Sequence, residues 1–380
     1  RMITKACKTA ALSVLCLPAL SLFSICPDCQ ANEKEHRRLF NKWDTNQNNR
    51  IELGELPGYA RKNFNKVDQN NDQSISLIEH LTYLAKGKNK GNEKNFKILT
   101  DIPYANTNNP RQTLDLFLPE KRKKDQVLPL VIWIHGGGWK NGDKKSGHSP
   151  NRLPKIVQTG RYVGASIAYR LSGEETWPAQ IHDCKAAVRW LRAHEKKYNI
   201  DPARIAVWGS SAGGHLVSML GVTKGNKELE GTVGTHTLHS SKVQAVINYY
   251  GPSALLQMND YPSRINHNAP DSPESQLLGF PIQEKKKLAR QASPLSYVTK
   301  DDASFIHFHG THDQLVPYPQ SQILHQSMKE QSLPSILITL KSAGHAMPGE
   351  FTQKYILPFL EHKFYGRGNH PETQIIEKSR

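Results

Sequence analysis

The pentapeptide Gly209-Ser210-Ser211-Ala212-Gly213 constrains this chain more than any other stretch. Arg204-Ile205-Ala206-Val207-Trp208 leads into it as a strand-like run, and Gly214-His215-Leu216-Val217 leads out with a helical pattern. A strand that turns sharply into a helix holds its corner residue in a strained conformation, with the side chain lifted above the sheet. Flanking glycines leave room for a turn in which a Cβ would collide with the neighbouring element. Ser211 stands at that corner. Its hydroxyl is a poor nucleophile until a base takes the proton, so a base must come from elsewhere in the chain.

Three further segments supply what that chemistry needs. Val131-Ile132-Trp133-Ile134 reads as a buried strand and runs into His135-Gly136-Gly137-Gly138-Trp139. A glycine run after a strand lets backbone N–H groups turn towards an oxyanion with no side chain in the way. Phe305-Ile306-His307-Phe308 reads as another strand and places Asp313 in the loop beyond it. Ser335-Ile336-Leu337-Ile338-Thr339-Leu340 is a third strand, with His345 in the loop that follows. The order Ser, Asp, His, each after a strand, is that of the α/β-hydrolase triad. The expected fold class is therefore α/β: a mostly parallel sheet with helices on both faces.

On these residues the chain resembles the hormone-sensitive-lipase-like esterases. His135 to Trp139 together with Gly209 to Leu216 is most similar to the bacterial feruloyl-esterase-like branch, which favours tryptophan after the glycines. The resemblance runs from about Phe96 to Tyr365. Many of these esterases carry aspartate before the nucleophile, where this chain has Ser210. The resemblance implies Ser211 as nucleophile, His345 as base and Asp313 as its orienting acid. It also implies Gly137, Gly138 and Ala212 as oxyanion-hole donors.

Seventeen histidines compete for the role of base. His325 lies in a helical run, while His362 and His370 lie past the last expected strand. His309 and His312 flank Asp313 and read as structural or surface groups able to line the pocket. His135 is expected to brace the glycine loop by hydrogen bonding. His182-Asp183 reads as a helix start, where an acidic residue suits the dipole. No Cys/His set has zinc spacing.

Ahead of these motifs stand two similar twelve-residue segments, Asp44 to Glu55 and Asp68 to Glu79. Both place oxygen-bearing side chains at positions 1, 3 and 5, isoleucine at 8 and glutamate at 12, the EF-hand pattern for Ca²⁺. The candidate ligands are Asp44, Asn46, Asn48, Arg50 (through its carbonyl) and Glu55 in the first loop. Asp68, Asn70, Asp72, Ser74 and Glu79 are their counterparts in the second. Position 6, usually glycine, is Asn49 and Gln73. The loops begin only 24 residues apart, so one shared or compressed helix is expected between them. Several ligands are neutral, which implies a weak structural site with Kd on the order of 10⁻⁴ to 10⁻³ M. The isoleucines are expected to pair between the loops.

At the amino end, Lys5 and Lys8 precede an apolar run from Ala10 to Ile25 that Pro18 interrupts. This reads as a signal peptide over 1–31, cut after Ala31, with a retained anchor as the alternative. Cleavage would leave Cys184 as the one thiol, a buried structural group on a helix, and no disulfide. The remaining divisions are an EF-hand pair over 32–84, a polar linker over 85–95, the hydrolase over 96–366 and a polar tail over 367–380. Residues 252–296, rich in Pro, Ser and Asn, read as a lid or substrate wall, or else as a surface excursion. Net charge is +16 but scattered, so a solvated basic surface is expected and no nucleic-acid site.

The function expected is that of a secreted or periplasmic serine carboxylesterase acting on small or polysaccharide-linked esters, acetyl or feruloyl among them. It needs no cofactor for catalysis and carries structural Ca²⁺. Arylformamidase-like amide hydrolysis is an alternative, because that relative has a similar histidine–glycine–glycine–tryptophan pattern. A non-catalytic, calcium-dependent binding protein on the same fold is a third, and the intact triad argues against it.

Overall fold

Strand β5, Leu128–Ile134, is buried at every position, as a strand must be when both faces of its sheet are covered. Its odd and even residues pack into different cores. Leu130, Ile132 and Ile134 join Ile181, Leu216 and Leu220 on one face. Val131 and Trp133 join Trp208, Ile306 and Phe359 on the other. This is the period-two geometry of a central strand.

The computed structural model describes residues 37–89, 95–123 and 125–377. They fall into two units, 37–89 and 95–377. The expected signal peptide lies outside the described residues. Among the described residues, no helix is long and apolar enough to cross a membrane.

The larger unit is built on a nine-stranded sheet. With β1 and β2 in the smaller unit, its strands are β3 (Phe96–Pro103), β4 (Thr113–Pro119), β5, β6 (Val163–Ile167), β7 (Ile200–Ser210), β8 (Ala245–Tyr249), β9 (Ser304–Gly310), β10 (Ser335–Lys341) and β11 (Gln374–Glu377). Their spatial order is β11-β10-β9-β8-β7-β5-β6-β4-β3. β3, β4 and β6 pair antiparallel, and every other pair is parallel. Helices connect the parallel strands, so this is the expected α/β-hydrolase fold.

The sequence-based expectations differ from the structure at two places in this unit. The polar tail supplies β11, which pairs with the edge of β10 from Ile338↔Gln374 to Lys341↔Glu377. Backbone hydrogen bonds to an open strand edge need no apolar side chains, so composition did not reveal this strand. The helix containing Asp183 starts earlier, spanning Ala179–Ala193. Asp183 sits in its interior, buried, and accepts 2.9 Å bonds from Arg170 Nε and Nη2 and a 2.8 Å bond from Gln112 Nε2. Cys184 beside it is a buried free thiol, and burial pushes its pKa up.

In the smaller unit, residues 37–43 are helical and a two-stranded ribbon joins β1 (Arg50–Glu52) to β2 (Ser74–Ser76). Ile51 pairs with Ile75, as the spacing predicts. Phe40, Ile51, Leu56, Phe64, Val67 and Ile75 form its core. Two one-turn helices, Gly58–Arg61 and Phe64–Val67, stand between the loops in place of one shared helix. The last helix, Leu77–Asn89, runs into the segment expected to be linker.

Candidate active site and candidate cation loops

The candidate catalytic groups of the larger unit follow the carboxyl ends of parallel strands, where open α/β sheets bind ligands. Gly136 to Gly138 follow β5, Ser211 follows β7, Asp313 follows β9 and His345 follows β10. Asp301 and Asp302, the other acids near β9, precede it and so lie at its opposite end.

The turn at Ser211 has φ 56° and ψ −122°, a strained backbone for a residue with a side chain. Neighbouring elements enforce it. A Cβ on Gly209 would lie 2.3 Å from the carbonyl oxygen of Gly213, and one on Gly213 only 2.1 Å from that of Ile134. The amide of Ser211 donates to Tyr249 O at 2.9 Å, anchoring the corner to β8.

His345 and Asp313 form the candidate base–acid pair. Nδ1–H of His345 donates to Asp313 Oδ2 at 2.6 Å, which leaves Nε2 as the nitrogen able to take a proton. The other carboxylate oxygen accepts from the amides of Leu315, 2.9 Å, and Val316, 3.0 Å. Burial alone would raise the Asp313 pKa. Hydrogen bonds and charge from His309 and His345 outweigh it, so the carboxyl stays ionised well below the usual range. Ser211 and His345 line one cavity of about 430 Å³, with Gly137, Gly138, Ala212 and Tyr250.

The oxyanion loop has φ 107° at Gly137 and 58° at Gly138. Among the described residues, their N–H groups have no backbone acceptor. Ala212 is the first residue of the helix Ala212–Val222, so its N–H also lacks an intrahelical acceptor. His135 braces this loop as expected, donating from Nδ1 to Gly136 O at 2.7 Å and stacking on Tyr169. Burial lowers its pKa to about 4.

Three side chains carry more than their sequence context suggested. Trp139 Nε1–H donates to His215 Nδ1 at 3.2 Å, and His215 Nε2–H donates to Ala292 O at 2.6 Å. The two glycine motifs and the 252–296 segment are thereby linked through one imidazole, whose pKa burial lowers to about 4. His309, read from sequence as a structural or surface group, is fully buried with Nε2 3.2 Å from Asp313 Oδ2, while His312 is exposed. Tyr250 lies with its ring centroid 4.2 Å from that of His345. Its position directly after β8 was the available signal. Ile265, Pro273 and Glu274 bring the 252–296 segment into the cavity wall.

In the smaller unit, the two twelve-residue loops fold alike. Asp44 Oδ1 and Oδ2 accept from the amides of Asn48, 3.1 Å, and Asn49, 2.9 Å. Asp68 does the same with Asp72, 3.2 Å, and Gln73, 3.0 Å. Glu55 accepts from the amides of Thr45 and Glu52, and Glu79 from those of Gln69 and Ser76. Asn46 and Asn70 accept from the amides of Asn48 and Asp72, and Asn48 from that of Arg50. Position 6 is left-handed in both loops, with φ 63° at Asn49 and 65° at Gln73. Arg50 Nη1 reaches across to Asp72 Oδ2 at 2.7 Å and to Ser74 Oγ at 2.8 Å. The donor set is all oxygen with carboxylates at positions 1 and 12, a hard-ligand chemistry that fits Ca²⁺.

Residues 114–328 match the BD-FAE family, from β4 through the helix Pro319–Glu330. Among curated proteins, Esterase LipC of Mycobacterium tuberculosis is 29% identical over 243 residues, covering 63% of this chain and 57% of that protein. The probable carboxylic ester hydrolase LipM of the same organism is 29% identical over 250 residues, 65% of this chain and 55% of that one. The chain thus spans just over half the length of these relatives. A truncated carbohydrate esterase from gut microbiota is 31% identical with a TM-score of 0.64, covering 72% of this chain and 98% of that structure. The bifunctional GH43-CE protein of Bacteroides eggerthii is 30% identical with a TM-score of 0.65, over 70% of this chain and 38% of that one. Since the matched residues make up more than half of the chain and include the oxyanion loop, the serine corner and Asp313, this protein belongs to the BD-FAE family.

Proposed function

We propose that the protein is a serine carboxylic ester hydrolase whose substrates are acylated carbohydrates. The observation that carries the reading is the convergence on one cavity of Ser211, the His345–Asp313 pair and candidate N–H donors. Ser211 Oγ attacks the ester carbonyl as His345 Nε2 takes its proton. The N–H groups of Gly137, Gly138 and Ala212 receive the charge that forms on the carbonyl oxygen. His345 then protonates the departing alcohol, and water repeats the cycle on the acyl-enzyme. Asp313 fixes the imidazole tautomer and stabilises its charge throughout.

The carbohydrate half of the proposal draws on the two carbohydrate-esterase-type relatives and on the proposed export of the chain through residues 1–31. The smaller unit is proposed to bind Ca²⁺ through Asp44, Asn46, Asn48, the Arg50 carbonyl and Glu55, and through the matching set in the second loop. The ion would neutralise clustered carboxylates and hold the loops folded. Purified protein should hydrolyse p-nitrophenyl acetate with a burst of nitrophenol equal to the enzyme concentration under acyl-enzyme-limited conditions. It should also release acetate from an acetylated oligosaccharide. Absence of p-nitrophenyl acetate hydrolysis would overturn the esterase reading. Its presence without any sugar-ester hydrolysis would restrict the proposal to simple esters.

A further inference from the structure

The wall contributed by residues 252–296 carries one ionisable group that the reaction itself does not use. Glu274 lines the same cavity as Ser211, in the first turn of the helix Pro273–Leu278. Pro273 packs close to the oxyanion loop, since a Cβ on Gly138 would lie 3.3 Å from its Cβ. Glu274 is 3% exposed and held from behind. His267, fully buried, donates from Nδ1 to Glu274 Oε2 at 3.0 Å. His267 Nε2 lies 3.1 Å from Ser263 Oγ, which also donates to Gln314 O at 3.0 Å. The amide of Arg264 reaches the same carbonyl at 2.8 Å. The carboxylate is thus fixed to the loop that begins at Asp313, and its orientation is tied to the triad. Among the described residues, the bond from His267 to Oε2 is the side-chain hydrogen bond that holds this carboxylate.

With Oε2 held by His267, Oε1 is the oxygen left to accept a hydrogen bond from a molecule in the cavity. The segment's other contributions to the lining, Pro252, Ile265 and Pro273, are apolar, so Glu274 is the polar group this wall offers, while Lys140, Asn141 and Tyr250 come from other elements. We infer that Glu274 is a specificity-determining residue that accepts a hydrogen bond from a free hydroxyl of the substrate's alcohol half, and so selects esters of polyhydroxylated alcohols. This inference deepens the proposed esterase function and rests on it for the site's orientation. Alkyl and aryl esters would leave Oε1 unpaired, and anionic esters would be repelled.

The test compares Glu274→Gln with the parent enzyme on three esters: a methyl xyloside bearing one acetyl group, p-nitrophenyl acetate and 4-acetoxybenzoate. In the variant the amide oxygen satisfies His267 and turns the NH₂ towards the cavity, replacing a charged acceptor with a neutral donor. The ratio of kcat/KM for the sugar ester to that for p-nitrophenyl acetate should fall about tenfold, mostly through KM. The ratio for 4-acetoxybenzoate should rise several-fold. Equal changes on all three esters would mean a structural role only and would overturn the inference. Glu274→Asp keeps the charge but shortens its reach, and should raise KM for the sugar ester several-fold if the glutamine variant does not fold. Calorimetry of the monoacetylated xyloside with Ser211→Ala, with and without Glu274→Gln, reads the contact without turnover. About tenfold weaker binding in the double variant supports the inference whatever the esterase assay returns, and equal binding overturns it.

Discussion

The two candidate sites of this protein are assembled in opposite ways. Each proposed cation loop is a run of twelve consecutive residues, so its candidate ligand groups are held by local turns and by amide bonds within the same segment. The catalytic groups come from four loops between Gly136 and His345, brought together because parallel strands end on one edge of the sheet. A local site can form wherever its segment folds. A dispersed one exists only if the whole sheet is in register, because a shift on β9 or β10 would separate Asp313 from His345. The contrast predicts large, all-or-none effects in the larger unit and small, graded ones in the smaller.

The largest effect belongs to the nucleophile and base. Ser211→Ala and His345→Ala should each lower kcat on p-nitrophenyl acetate by about 10⁴-fold or more, with the circular dichroism spectrum retained. A folded Ser211→Ala protein with more than a tenth of parental activity would break the assignment. Asp313→Asn should follow, with a loss on the order of 10³ to 10⁴-fold, because the amide favours the wrong imidazole tautomer. His309→Gln should cost far less, about tenfold in kcat, since Asp313 keeps His345 and two backbone amides. If the two variants lose equal activity, His309 has a direct role that this geometry does not give it.

An intermediate effect is acid sensitivity of the larger unit. His135 and His215 are buried neutral, with pKa values lowered to about 4, whereas an unfolded imidazole titrates near 6.5. Between those values the unfolded chain binds protons that the folded chain refuses, so stability is lost as pH falls from 6.5 to 4. The loss should be on the order of 3 kcal/mol per histidine. Asp313 acts in the same direction but lower, because its depressed carboxyl stabilises the fold above about pH 4 and less below it. Denaturant melts of His215→Gln from pH 7 to 4 should show a shallower pH slope than the parent. An unchanged slope would mean His215 is protonated in the fold.

The smallest effect on catalysis should come from chelation. Removing Ca²⁺ should make the smaller unit more sensitive to protease, because Asp44, Glu55, Asp68, Asp72 and Glu79 lose their shared counter-charge. Hydrolysis of p-nitrophenyl acetate should change less than twofold. Glu55→Gln with Glu79→Gln should abolish most calcium binding by calorimetry. Loss of esterase activity on chelation, restored by Ca²⁺, would show that the two sites are not independent.

What could be read before the fold was known were the features whose physics is local. A strained corner between strand and helix needs glycines at fixed offsets, so Gly209 and Gly213 announced Ser211. An oxygen-rich twelve-residue turn has its own spacing, and Ile51 with Ile75 announced the ribbon between the loops. Other features depended on neighbours distant in the chain. His309 differs from His312 only in facing inward at the end of β9, which sets it against Asp313. Tyr250 stands beside His345 because β8 and β9 are adjacent in the sheet and β10 follows them. The polar tail became β11 because β10 offered an open edge, and Glu274 joined the cavity because His267 and the Asp313 loop hold its segment there. Local backbone constraints are written in adjacent residues, whereas contacts across a sheet depend on strand order and register, which no short stretch of sequence contains.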